Sequence, residues 1–508
     1  VADRRRGDET EVAVAVDRDP GEPGLVGVDV RLDDGAGSIV TVTTVAGGAY
    51  EFVGVAPDSY TVSVDVATLP TGAVATTTGA PVPVTVASDE LIDDVDLGYV
   101  LPASLSGRVW ADADGGGTQN GESAMPGVDV ELLDAGGNVV AADTTAADGS
   151  FSFPGLLPGA YSVRPVMPAG MVLTTPDVGG DDTVDSDVLP ATGETAAVVL
   201  VSGSTVTDVD AGLFELATIG DTVFADLDGN GVQGIGEPGI AGVTVTVRDA
   251  GGMVVGTDVT GGDGTYGVTV DPGTLSVTVT VPAGWSAGSA GDTQAAIVTS
   301  GTDIDDVDFP LTGALELAGS VVYDVAGDAT NDTSDPGLGG ITMTATWDGP
   351  DGPVVFTTTT QPDGSYLFGD LPPGSYDVVV DDTTLPNGII QPTIDPDGPA
   401  GGVDLATTIS LTGASLTALD FGVTGTARLG DNVFVDADGD GVLDAGESGV
   451  GGVTVTATVT TTAGVITLTT VTDPTGFYEF ADLPAGDYVV SLDATTLPIG
   501  LAPSSGDR

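Results

Sequence analysis

The sequence predicts an all-β chain, a tandem array of five β-sandwich domains. Three observations carry that prediction. Val and Thr alternate in stretches such as "GVTVTV" and "VTVTATV", which gives a strand one buried and one wet face. Asp-Gly pairs such as Asp363-Gly364, and Pro-Gly pairs, fall between these stretches. They mark turns, not a disordered low-complexity chain. The same two sequence blocks recur five times, the signature of a repeat architecture. Short strands with turn signals every ~8–12 residues predict about seven strands per copy. No stretch carries an apolar period of 3.6, so no helix is expected.

Copy one is shortened, "VAVAVDRDPGEPGLVGVDVRL", ending at Leu32. The next four begin with "GRVWADADGGGTQNGESAMPGVDVEL" from Gly107, "GDTVFADLDGNGVQGIGEPGIAGVTVTV" from Gly220, "GSVVYDVAGDATNDTSDPGLGGITMTA" from Gly319 and "GDNVFVDADGDGVLDAGESGVGGVTVTA" from Gly430. A second block follows in every copy, from "GGAYEFVGVAPDSYTV" in the first to "TGFYEFADLPAGDYVV" in the fifth. Copies one to four close on "DVDLG", "DVDAG", "DVDFP" and "ALDFG". The domain limits that follow are 1–100, 101–216, 217–314, 315–426 and 427–508.

The chain has 508 residues, 76 of them acidic against 10 basic, and a net charge of −66. All the basic residues are arginine, and His, Cys and Lys are absent. Such a charge argues against nucleic acid, whose phosphates need Lys/Arg stripes, and against anionic membrane surfaces. It fits a secreted chain in a salty or calcium-bearing medium, where counter-ions offset self-repulsion. No run approaches ~18–20 apolar residues, so no membrane-spanning segment is expected. The opening "VADRRRGDET" has no Met, which fits a leader already removed. Without His, Cys or Lys there is no Ser-His triad, thiol nucleophile, Schiff base or ordinary zinc site, so no enzyme is expected. Paired carboxylates could serve glycoside cleavage, but these recur module by module, and a catalytic constellation does not repeat.

The recurring carboxylates are the candidate site. "DADGDGVLDAGE", residues 436–447, puts five of them into one loop, where each close like-charged pair costs about 1 kcal/mol even in water. The pattern matches a calcium loop, with oxygens at positions 1, 3, 5, 7, 9 and 12 and Gly at 6 for the turn. Copy five supplies Asp436, Asp438, Asp440, the Val442 carbonyl, Asp444 and a bidentate Glu447. Copy three supplies Asp226, Asp228, Asn230, the Val232 carbonyl and Glu237, with Gly234 leaving position 9 to water. Copy two, one residue short, keeps Asp112, Asp114, Asn120 and Glu122. Copy four offers Asp324, Asp328, Asp332 and Asp335 but lacks the turn glycine. Copy one retains only Asp17, Asp19 and Glu22 among prolines and is read as inactive. Asp181, Asp182, Asp185 and Asp187 form a second acidic cluster, either a further ion site or a solvated loop. No helices flank the loops, so a static staple is expected and a sensor that opens is not.

These residues resemble the SdrD B-like, or Cna-B-like, calcium-binding repeats of Gram-positive surface adhesins. The resemblance rests on the loop followed by "GVTV", on the "DGxYxF…LPxGxY" block, and on "DDTVDSDVLPATGETAAVVLVSGSTVTDVDAGL" in copy two. It implies Ig-like, prealbumin-type sandwiches forming a rigid, calcium-stabilised stalk at the cell surface. The family's intramolecular isopeptide bond needs a lysine, which this chain lacks, leaving stiffness to calcium.

Three shorter matches are weaker. "LPATG" at 189–193 spells a sortase-type string but lies inside a module, where a strand-edge turn is expected. "RGD" at 6–8 is a three-letter integrin match in an arginine-rich segment. Tyr366 and Phe368, two apart on one strand, read as core. The expected function is therefore a non-catalytic extracellular stalk or filament subunit. The alternatives are an adhesin gripping a glycan or protein through its loops, with Trp285 and Trp347 as the aromatics to check, and the stalk of a secreted hydrolase. Copy five stops at "TTLPIGLAPSSGDR" without a closing block. Either more chain follows, or a second copy adds the strand head to tail through "ETEVAVAV", Glu9 to Val16.

Overall fold

The computed structural model describes residues 24–77, 81–88, 90–398 and 402–503. Asp17, Asp19, Glu22, the RGD string and Glu9–Val16 lie outside them. The chain divides into two compact units. One takes the residues up to 217 with 271–273 and 297–303, and the other takes the rest.

Copy four shows the sandwich in full. One sheet orders its strands Ser365–Leu371, Leu315–Tyr323, Phe421–Gly425, Ile389–Ile394. The other orders Gly352–Thr359, Thr342–Gly349, Gly374–Val380, Ala406–Leu411. The expected alternation is present: Thr342–Gly349 buries Met343, Ala345 and Trp347, while their neighbours face outward. Copies three and four each hold two four-stranded sheets, one strand more than the expected seven. The additional strand arises because the chain leaving the "GxY" strand pairs at the edge of each sheet in turn, at 389–394 and then 406–411. Among the described residues the only helical pieces are three-residue 3-10 turns, such as Asp382–Thr384.

In copies two, three and four the closing block leads into the strand that completes the sandwich. Phe421–Gly425 runs parallel to the opening strand, pairing Val321 with Phe421 and Tyr323 with Val423. Copies two and three repeat this with Val109↔Ala211 and Val223↔Phe309. The tyrosine of the "GxYxF" block is core, as expected, and it also has a polar task. Tyr366 Oη donates to the Leu419 carbonyl just before the closing strand at 2.6 Å. Tyr50 and Tyr266 do the same to Val95 and Val307. A buried phenol needs such an acceptor.

A second device recurs in every copy. Thr44, Thr145, Thr260, Thr360 and Thr472 are buried. Each hydroxyl accepts an N–H, from Val28, Val128, Val243, Ile341 and Val453 respectively. Each also donates to a carbonyl, that of Leu25, Met125, Ile240, Leu338 and Val450. The threonine thus ties the chain leaving the acidic loop to the next strand.

Among the described residues copy five has fewer strands. Through residue 503 it pairs Ala427–Asn432 with Phe477–Leu483, and Gly464–Val471 with Thr454–Thr461 and Tyr488–Leu492. Tyr488–Leu492 leaves Val489, Val490 and Leu492 exposed, whereas its counterpart Gly374–Val380 buries Tyr376, Val378 and Val380. "LPATG" is a turn: Val188–Leu189 pairs with Glu194–Thr195, and the Thr192 and Gly193 N–H groups close on the Leu189 carbonyl. Trp347 is core, 4% exposed, and Trp285 is half-buried at a strand start. Neither forms an exposed aromatic platform.

Candidate metal centre

The acidic loop leaves the end of the opening strand in copies two to four. Its first aspartate is fixed from both sides. The Asp112, Asp226 and Asp324 N–H groups bond the closing strand at the Leu213, Leu311 and Val423 carbonyls, at 2.8, 2.9 and 3.0 Å. The carboxylate then folds back onto the loop. In copy two its oxygens accept from Gly116 and Gly117, and in copy three from Asn230 and Gly231. In copy five they accept from Gly439 and Gly441. The loop glycine at position 6 has positive φ: 73° at Gly117, 78° at Gly231 and 75° at Gly441. That is the left-handed conformation for which the sequence pattern reserves glycine. Copy four places Ala329 there instead, at φ 61°.

Three loops bring their carboxylates together. Asp112, Asp114 and Glu122 have ligand oxygens within 4.8 Å of one another, as do Asp226, Asp228 and Glu237. In copy five the five carboxylates divide into two overlapping groups, Asp436, Asp438, Glu447 and Asp438, Asp440, Asp444. Asp438 is common to both. In copy four no such group forms from Asp324, Asp328, Asp332 and Asp335. Their oxygens accept from their own loop: Asp324 from Gly327 and Ala329, Asp335 from Val325 and Asp332. Asn120 is exposed. Asn230 Oδ1 accepts the Val232 N–H, and the Val232 and Val442 side chains are exposed.

Burial separates the three groups. Asp226 and Glu237 are 3% and 6% exposed, and two carboxylates kept that close and that dry are costly unless a cation offsets them. Glu237 is held at the far end by the Leu227 and Gly234 N–H groups. In copy two Glu122 Oε1 accepts from Ala113 while Oε2 is buried without a partner. Burial, and secondarily the charges of Asp112 and Asp114, pushes the Glu122 carboxyl up to about 7. In copy five Asp436 and Glu447 are only half-buried, and Asp438, Asp440 and Asp444 are exposed. An all-oxygen donor set of this kind fits a hard divalent cation of flexible coordination.

Copy two has a second group, Asp177, Asp182 and Asp187. Asp185 beside it is 4% exposed, with Oδ1 unpartnered. Burial pushes Asp187 up to about 7 and Asp210 to about 6, with the neighbouring aspartates adding to both. This segment lies against the first loop: Thr118 bridges to Asp185, and the Gln119 N–H donates to the Val184 carbonyl. Asp210, which accepts the Arg108 N–H, is the aspartate that recurs at the third position of every closing block; Asp308 and Asp420 accept from Thr222 and Ser320 in the same way.

The SdrD B-like domain family model matches residues 16–96, 103–213, 217–310, 316–412 and 427–507. The chain belongs to the SdrD B-like family. The five matches cover the chain nearly end to end, one for each repeat. Serine-aspartate repeat-containing protein D of Staphylococcus aureus strain MW2 is 32% identical over 428 residues, 80% of this chain and 30% of that protein. Serine-aspartate repeat-containing protein F of Staphylococcus epidermidis is 29% identical over 420 residues, 77% of this chain and 23% of that protein. The SdrD B-like chain therefore spans less than a third of these relatives. Among solved structures, the Bacillus anthracis TIE protein aligns over 81% of this chain and 68% of its own, at 13% identity and a TM-score of 0.31.

Proposed function

We propose that this chain is a non-catalytic segment of a cell-surface protein, a stalk of serial sandwiches stapled by calcium. The observation that carries the reading is the convergence of carboxylates at one place in the fold in copies two, three and five. In copies two and three that place lies directly where the opening and closing strands meet. A bound calcium supplies the positive charge that lets these carboxylates stay together and fixes the loop. The residues would hold it as two groups per chain at Asp112/Asp114/Glu122 and Asp226/Asp228/Glu237, with copy five adding its double group. The buried Asp185 and the Asp177, Asp182, Asp187 group extend the reading to a further ion in copy two. Calorimetric titration of the metal-free chain tests this: saturable calcium binding at more than two sites, reduced by Asp226→Asn, is expected. A chain that takes up no calcium overturns it.

A second reading, a self-assembling filament subunit, is favoured by Ala427–Asn432 and Tyr488–Leu492 of copy five, each of which has one edge without a partner strand among the described residues. Unpaired edge strands recruit strands from other chains. Residues 9–16 of a second copy are the proposed donor, giving a head-to-tail contact that does not close. Chains lacking residues 1–16 should stay monomeric in sedimentation while the intact chain assembles; a monomeric intact chain at high concentration ends this reading.

A further inference from the structure

Copies four and five meet inside one compact unit, and their meeting differs from that of copies three and four. Tyr323 stands at the end of the copy-four opening strand, immediately before Asp324. Its equivalent in copy three is Ala225, since the parallel pairings Tyr323↔Val423 and Ala225↔Leu311 coincide in register. Tyr323 is 1% exposed, and its hydroxyl leaves copy four to donate to the Asp482 carbonyl of copy five at 2.6 Å. The same carbonyl accepts from Thr424 Oγ1 at 3.0 Å. Asp482 presents its carbonyl from a left-handed backbone, φ 55°. Copy four offers the matching feature to copy three, with Asp370 at φ 54°, but Ala225 has no hydroxyl to send to it.

The contact continues around the tyrosine. The Ala485 N–H donates to the Asn387 carbonyl at 3.0 Å, and the Gly339 N–H reaches the Ala463 carbonyl at 3.3 Å. Gly425 lies so close beneath copy five that a Cβ there would stand 2.0 Å from the Leu483 carbonyl group. The apolar core runs without a break from copy four into copy five, joining Leu315 through Val423 to Val455 through Leu483. This is the copy whose acidic residues do not converge on a common point and whose loop carries Ala329 where a calcium loop has glycine.

We propose that the joint between copies four and five is locked without metal, by Tyr323 and the Asp482 carbonyl. Copy four has an extra hydrogen-bonded anchor where its loop does not gather ligands. The inference goes beyond the calcium reading and is independent of it. The cysteine-free chain allows a direct test. Spin labels are placed on Leu367→Cys in copy four and Val465→Cys in copy five, both exposed, and the full chain is read by pulsed electron paramagnetic resonance. The expected distance distribution is single and narrow, with the same width in calcium and in chelator. Tyr323→Phe keeps the ring in the core and removes only the hydroxyl, so the distribution should broaden in both conditions. Tyr323→Ala, which restores the copy-three residue, should broaden it further. Circular dichroism and melting check that each variant is folded. Broadening of the unsubstituted joint on chelation overturns the proposal, as does an unchanged width in folded Tyr323→Phe. Calcium uptake measured on the same sample reads the loops of copies two, three and five separately, so the two accounts fail by different signals.

Discussion

Thr360 is typical of how single residues hold this chain. Its buried hydroxyl both accepts from Ile341 and donates to Leu338, so Thr360→Val, nearly isosteric, leaves two backbone groups unpaired. A loss of about 1–3 kcal/mol is expected, read as a lower denaturant midpoint for copy four. Ala329 makes the opposite case: its left-handed backbone costs about 1–2 kcal/mol, of which glycine's greater freedom when unfolded returns a part. Ala329→Gly should therefore stabilise slightly, in the same measurement. The Glu122, Asp187 and Asp210 carboxyls have folded values raised by burial above their ordinary range. At these three groups the folded, metal-free state binds protons more tightly than the unfolded one, so the stability they contribute is fully present below about pH 4 and is lost as pH rises towards 7. In the proposed reading, calcium takes the place of those protons. The calcium-induced rise in melting temperature of copy two should be larger at pH 8 than at pH 5, and an equal rise at both would contradict these assignments. The loop ligands are legible in the sequence because their spacing alone encodes a turn. Tyr323 is not, because one Tyr beside an Asp carries no spacing signal. The threonines do recur six residues before the Tyr or Phe at the third position of the "GxYxF" block, but that spacing does not disclose the partners across the fold.

Strands explain why the loop with the best sequence match is not the best-built site. Asp226 is pinned by the closing strand through Leu311 and buried. Asp436 in copy five has no such strand among the described residues, and its loop is open to water. A loop already held in place loses less freedom when it binds. In the 508-residue chain, where copy five's loop is the more exposed, copy three should therefore bind calcium more tightly, despite its missing position-9 carboxylate. Single-site variants Asp228→Asn and Asp438→Asn, titrated in the full chain, separate the two: the tighter transition should vanish with the first. The two-block pattern reveals the sandwich itself, since Val/Thr alternation and turn pairs act locally. The eighth strand is hidden because 389–394 and 406–411 pair only at sheet edges, where alternation is weak and Pro392 is tolerated.

At the scale of the whole chain, a net charge of −66 sets 76 acidic groups against four ion pairs among the described residues. Salt screens such repulsion generally, whereas the proposed calcium acts at named loops. Sodium chloride should raise the melting temperature gradually, and calcium at equal ionic strength should raise it further in a saturable way. The central claim is that calcium staples particular loops, and amide hydrogen exchange resolves them individually. With calcium against chelator, peptides covering 112–122, 226–237 and 436–447 should gain protection, while 324–335 should not change. Equal exchange in all four loops with and without calcium, or a gain confined to 324–335, would contradict the account.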